Sequence, residues 1–126
     1  MNQMLNQTAS RLFAEYVDQT VLAKAERGVW PDPLWQAIKE TGLHLVGIPE
    51  EVGGASGSLD EAVTVLQVAA QHAAPLPLAE GYLAGWLLGE AGVMLPDDRP
   101  ITAAWGSSST LPKVTTSGST WTIDGT

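Results

Sequence analysis

Two histidines, one pair of adjacent carboxylates, a glycine-rich stretch and a run of serines are the residues of this sequence whose types and spacing invite chemistry. His44 and His72 are the only histidines. Neither has a second potential ligand three or four residues further on that would make a convincing metal pair. His72 falls near the expected end of a helix, where imidazolium is favoured, and both residues are read as structural or surface groups. Cysteine is absent, which removes thiolate nucleophiles, disulfides and Cys-based zinc sites together. Glu50 and Glu51 are neighbours on a loop and need not converge on a substrate. Ser107, Ser108 and Ser109 have no histidine close in sequence to activate a hydroxyl. No catalytic residue and no metal ligand is assigned.

The stretch from Gly53 to Gly57 precedes a helix start, the setting of a phosphate cradle. Its spacing does not match G-x-G-x-x-G, and no Gly-Lys-Ser/Thr follows. Asp60 and Glu61 occupy the first turn of that helix, and Glu50 and Glu51 lie just upstream. A phosphate would meet carboxylates where it needs bare N–H groups. A tight structural loop is the expected role.

The elements that position these residues are mainly helical. Leu5, Ala9, Leu12, Phe13, Tyr16, Val17 and Val21 recur at spacings of three and four and predict one helix from Leu5 to about Lys24, closed by Gly28. Asp32-Pro33 predicts a second, with Asp32 as N-cap and proline at the first helical position, ending at Gly42. Leu43 to Ile48 is either a buried loop or a strand. Ser58-Leu59-Asp60-Glu61 is a capping box opening a helix to about Ala74, which Pro75 and Pro77 stop. A fourth helix runs from Leu78 to Ala91 with Gly81, Gly85 and Gly89 at intervals of four. Each such glycine weakens an isolated helix by roughly 1 kcal/mol relative to alanine, so another helix is expected against that smooth face. Ile101–Trp105 and Trp121–Ile123 read as strands, and Asp124-Gly125 as a hairpin turn. Residues 1–95 thus form an α-helical domain, and residues 96–126 the incomplete beginning of a β domain.

Fourteen acidic side chains against six basic ones give a formal charge of −8. Nucleic acid and anionic membrane surfaces both need basic patches, so neither is expected as a partner. Residues 58–95 hold four acids and no base. The apolar segment Leu76–Leu95 has the length of a membrane span, but Glu80 and Glu90 inside it favour a buried soluble helix. No secretory signal is visible at the N-terminus, and a cytoplasmic protein is expected.

The run Leu34-Trp35-Gln36-Ala37-Ile38-Lys39-Glu40-Thr41-Gly42-Leu43, followed by Val46-Gly47-Ile48-Pro49-Glu50-Glu51-Val52-Gly53-Gly54, resembles the N-terminal domain of acyl-CoA dehydrogenases. In that family a short helix ends in Gly-Leu, and a Pro-Glu-Glu-x-Gly-Gly loop then enters the next helix. Ser58 to Ala74 fits that helix, and Trp121-Thr122-Ile123-Asp124-Gly125 looks like the turn of the family's middle β domain. The Ala-Ala-Pro-Leu-Pro-Leu segment is similar to a bacterial branch with paired, partly degenerate subunits. The resemblance implies an FAD-dependent oxidoreductase that forms an α,β double bond in an acyl-CoA thioester: a carboxylate removes the α proton and flavin accepts hydride. It places the base in a C-terminal helical domain that this chain does not reach. The family's flavin-contacting Thr-Glu-Pro and Gly-Ser-Asp loop corresponds here to Ala104-Trp105-Gly106-Ser107-Ser108-Ser109-Thr110, where Trp105, Ser107 and Ser108 are the cofactor-binding candidates. Gln67 and Gln71 are the candidates for the acyl-CoA wall. Homo- or hetero-oligomers with other acyl-CoA dehydrogenase subunits are implied as well.

Two alternatives stand beside this expectation of a fragment that is inactive by itself. One is a non-catalytic helical partner subunit pairing through Gly81, Gly85 and Gly89. The other is a nucleotide-binding α/β domain built on the Gly53 loop.

Overall fold

The computed structural model describes residues 2–96, 99–104 and 106–125. Among them are five helices, α1 (Gln3–Tyr16), α2 (Gln19–Glu26), α3 (Asp32–Thr41), α4 (Leu59–Gln71) and α5 (Leu78–Glu90), followed by strands β1 (Lys113–Ser117) and β2 (Thr120–Asp124). The mainly α architecture followed by a short β segment is the one the sequence predicts.

The first expected helix is broken in two. Val17 and Asp18 are extended, and the Asp18 carboxylate accepts from the Val21 amide at 2.8 Å. Aspartate competes well as a cap and poorly in a helix interior, so a fresh start at Asp18 prevails over a continuous stripe. The division also separates two environments: α1 buries Ala9, Leu12 and Phe13, whereas α2 buries no residue. In α3, Asp32 is the first helical residue and makes no side-chain cap; Pro31 stands at the cap position. Gly42 closes α3 in the left-handed conformation, as expected.

Helices α1, α3 and α4 pack around Phe13, Leu34, Ile38, Val65 and Val68, with Ile48 from the following loop completing the fully buried set. Leu43–Leu45 and Glu50–Val52 are single 3-10 turns, so the apolar run after Gly42 is a buried loop and not a strand.

The glycine ladder of α5 meets this loop instead of another helix. A Cβ on Gly85 would run into the Ile48 side chain, and one on Gly89 would meet the Pro49 ring at 3.0 and 3.1 Å. Ile48 is held from its other side too, because a Cβ on Gly54 would collide with the Ile48 carbonyl. The two glycine motifs therefore explain each other: both admit the Ile48–Val52 backbone into a narrow space. The smooth face is occupied within the chain, which removes it as a surface for a partner helix.

The C-terminal strands also differ from expectation. Residues 101–104 are not a strand, and Trp105 lies outside the described residues. β1 pairs antiparallel with β2 from Lys113↔Asp124 to Ser117↔Thr120. The turn that joins them is Gly118-Ser119. Gly118 has φ +60°, at the first loop position where a type II′ turn needs glycine.

Candidate functional site

The Pro-Glu-Glu-Val-Gly-Gly loop is the most distinctive local structure. The amides from Val52 to Ser56 are consumed inside the chain. Gly53 N donates to Glu50 O (2.9 Å), Gly54 N to Pro49 O (2.9 Å), Ala55 N to Leu45 O (3.0 Å) and Ser56 N to Ile48 O (2.9 Å). The helix that follows has its first turn closed as well: the Ser58 hydroxyl accepts from Glu61 N at 3.2 Å, and the Glu61 carboxylate accepts from Ser58 N at 2.9 Å. No donor of this set points outward for a phosphate, so the loop is structural. The nucleotide-binding alternative fails on this geometry.

What the loop does is set the spacing of α4 and α5. Between them lies an apolar groove of about 520 Å³. Its α4 wall is Leu59, Ala62, Val63 and Leu66, its α5 wall Ala79, Tyr82, Leu83 and Trp86, and its floor Val46, Gly47 and Ile48. Leu59 is 79% exposed and Trp86 51% exposed, an unusual openness for side chains of that size. None of the residues lining the groove is charged.

Tyr82 is its one hydroxyl. The phenol donates to the Leu43 carbonyl at 2.5 Å, and burial pushes its pKa well above the ordinary tyrosine value. It is a fixed donor to the backbone and not a base. The groove can therefore hold an apolar chain but cannot abstract a proton.

Gln67 and Gln71 are exposed on α4 outside the groove walls. Gln67 lines a separate shallow depression with Asn2, Ser58, Asp60, Glu61, Val63 and Thr64. The groove residues themselves went unrecognised in the sequence, although a signal was there. Leu59, Val63, Leu66 and Ala70 form a second helical stripe beside the buried one of Ala62, Val65 and Ala69, so α4 is apolar on two faces.

Of the flavin candidates, Trp105 lies outside the described residues. Ser107 and Ser108 sit in an exposed turn. The Ser107 hydroxyl is bonded to those of Ser109 (2.8 Å) and Thr110 (3.1 Å), and the Ser107 amide donates to Thr110 Oγ1 at 2.8 Å. Every described residue from 106 to 125 is exposed. These residues satisfy one another and enclose nothing, so among the described residues they do not fit a flavin site.

Among the described residues no group of three His, Asp or Glu side chains could hold a metal ion. No helix described is long and apolar enough to cross a membrane.

The described helices thus expose a groove without charged side chains between α4 and α5. The family described as acyl-CoA dehydrogenase, N-terminal domain, matches residues 1–93, and the chain belongs to that family. It is also 34% identical over 80 residues to acyl-CoA dehydrogenase IpdE2 of Mycobacterium tuberculosis, a match covering 60% of this chain and 25% of that protein. The chain thus spans about a quarter of the length of this relative. No solved structure matches it.

Proposed function

We propose that this chain forms the helical wall of an FAD-dependent acyl-CoA dehydrogenase, an oxidoreductase that introduces an α,β double bond into an acyl-CoA thioester. The observation that carries the reading is the uncharged α4–α5 groove, held open by the Pro-Glu-Glu-Val-Gly-Gly loop that the family match covers. An acyl group laid against Val63, Leu66, Leu83 and Trp86 would lose water contact over its whole length. Gln67 and Gln71 lie one and two turns beyond Val63 on α4, where they would form the polar rim beside the thioester end.

The base and the main flavin contacts come, in this proposal, from other parts of the enzyme, because the groove contains no carboxylate and Ser107 bonds within its own turn. Ser107 and Ser108 would reach the cofactor only where a further β layer covers the hairpin. The active species is then a homo- or hetero-oligomer of acyl-CoA dehydrogenase subunits.

The test is purification of the tagged protein from its own host, followed by absorption spectroscopy. A flavin spectrum that bleaches on addition of an acyl-CoA is the expected result, and Trp86→Arg should abolish the bleaching. A flavin-free preparation whose tryptophan fluorescence ignores acyl-CoA would remove the proposal.

A further inference from the structure

A second, smaller cavity lies on the other side of the Ile48 loop. It has a volume of about 50 Å³ and is walled by Trp35 of α3, His44 and Leu45 of the 3-10 turn, Leu78 and Gly81 of α5, and Leu95, Pro96, Arg99, Pro100 and Ile101. Its lining is mostly aliphatic, and the titratable residues in it are His44 and Arg99. His44 Nδ1 is buried and makes no hydrogen bond to any described residue. A buried ring nitrogen with no partner is rare in folded proteins. A single water needs roughly 10–15 Å³ on this measure and two to four polar partners; the room is present, Nδ1 is one partner, and Arg99 stands in the same lining.

We propose that this cavity is an internal hydration site, in which one or a few waters donate to His44 Nδ1 and accept from Arg99. Those waters would fasten Arg99 onto the helical unit, beside the backbone bond from Leu95 N to Val52 O at 2.9 Å. The site requires a neutral imidazole carrying its proton on Nε2. Its surroundings favour that form. The Trp35 and His44 rings meet edge to face with centroids 5.2 Å apart. Lys39 from α3 is the charged group that acts on the imidazole, the cationic Arg99 stands in the same lining, and α5 contributes only Leu78 and Gly81 to the wall. The Ile38 carbonyl is the one nearby group that favours the imidazolium. Asp97 and Asp98 lie outside the described residues.

A high-resolution crystal structure of the full 126-residue chain tests this directly, with His44→Phe as the comparison. The expected result is a water within hydrogen-bond distance of Nδ1 in the parent and its loss in the variant. A dry cavity, or a protein atom bonded to Nδ1, would overturn the proposal. In solution, long-range proton–nitrogen spectra should show His44 neutral with unprotonated Nδ1, together with a long-lived water cross-peak to its ring. An Nδ1–H tautomer, or no such water in the parent protein, would count equally against it.

Discussion

At the scale of single residues, the two most informative side chains are polar groups inside the apolar structure. Tyr82 ties α5 to the 3-10 turn 39 positions earlier through the Leu43 carbonyl. Its partner would be left unsatisfied by Tyr82→Phe, which should cost about 1–2 kcal/mol of stability, measured by urea unfolding. An unchanged midpoint would show that water replaces the phenol without loss. His44 makes the stability depend on pH. Burial, chiefly, and the nearby Lys39 lower its pKa from the ordinary 6.5, against the opposing pull of the Ile38 carbonyl. The folded state then binds fewer protons than the unfolded one between the two values. Its contribution is fully present above 6.5 and is lost as the pH falls from there toward the lowered folded value. The urea midpoint should decline over that interval in the parent and stay flatter in His44→Gln. Neither role was legible in the sequence, where nothing singles out Tyr82 and His44 reads as a structural or surface group. Both depend on contacts made between elements.

At the scale of elements, local signals were read well wherever the chain satisfies its own backbone. Gly42 as a stop and Ser58 with Glu61 as a capping box are short-range devices, and both are present in the structure. Ser58→Ala should cost about 1 kcal/mol in thermal or urea unfolding. The Glu61 pKa is lowered by the Ser58 amide first and the Asn2 side chain second. Its share of the cap is therefore present above the ordinary 4.5 and lost as the pH falls through the lowered value. Glycines are harder to interpret from sequence, because spacing shows that something approaches without showing what. Gly81, Gly85 and Gly89 suggested a helix, yet the visitors are the Ile101 carbonyl at Gly81, Ile48 at Gly85 and Pro49 at Gly89. Gly54 has ordinary backbone angles and is required only because the Ile48 carbonyl lies where its Cβ would go. Gly54→Ala should therefore lower stability by about 1–3 kcal/mol or more, since backbone has to move. Gly28, whose added Cβ would meet nothing, should lose only about 1 kcal/mol through its left-handed conformation. Equal losses at the two positions would mean that the loop does not pack as described.

At the scale of the whole molecule, the helical unit and the hairpin stand in contrasting physical situations. The helices bury one continuous core from Ala9 to Tyr82. The hairpin places Val114, Thr116, Trp121 and Ile123 on one face and Lys113, Thr115, Ser117, Thr120, Thr122 and Asp124 on the other. The period-two alternation at Trp121-Thr122-Ile123 was legible, and it reports an amphipathic strand correctly. Its companion, Lys113–Ser117, was not, because it carries one large apolar residue and reads as a polar linker. Trp121 remains 71% exposed and Ile123 70% exposed. Two strands with an uncovered apolar face are marginal in water, so they should contribute almost nothing to the stability of the helices. A chain ending at Ala104, which keeps the Leu95 bond to Val52 and the Ile101 contact on Gly81, should unfold within about 0.5 kcal/mol of the 126-residue chain. Hydrogen exchange on the longer chain should show amides of residues 113–124 exchanging fastest among its regular elements. Protection of those amides equal to that of α4, or a large loss of stability on truncation, would mean that the hairpin packs on the helical unit in solution.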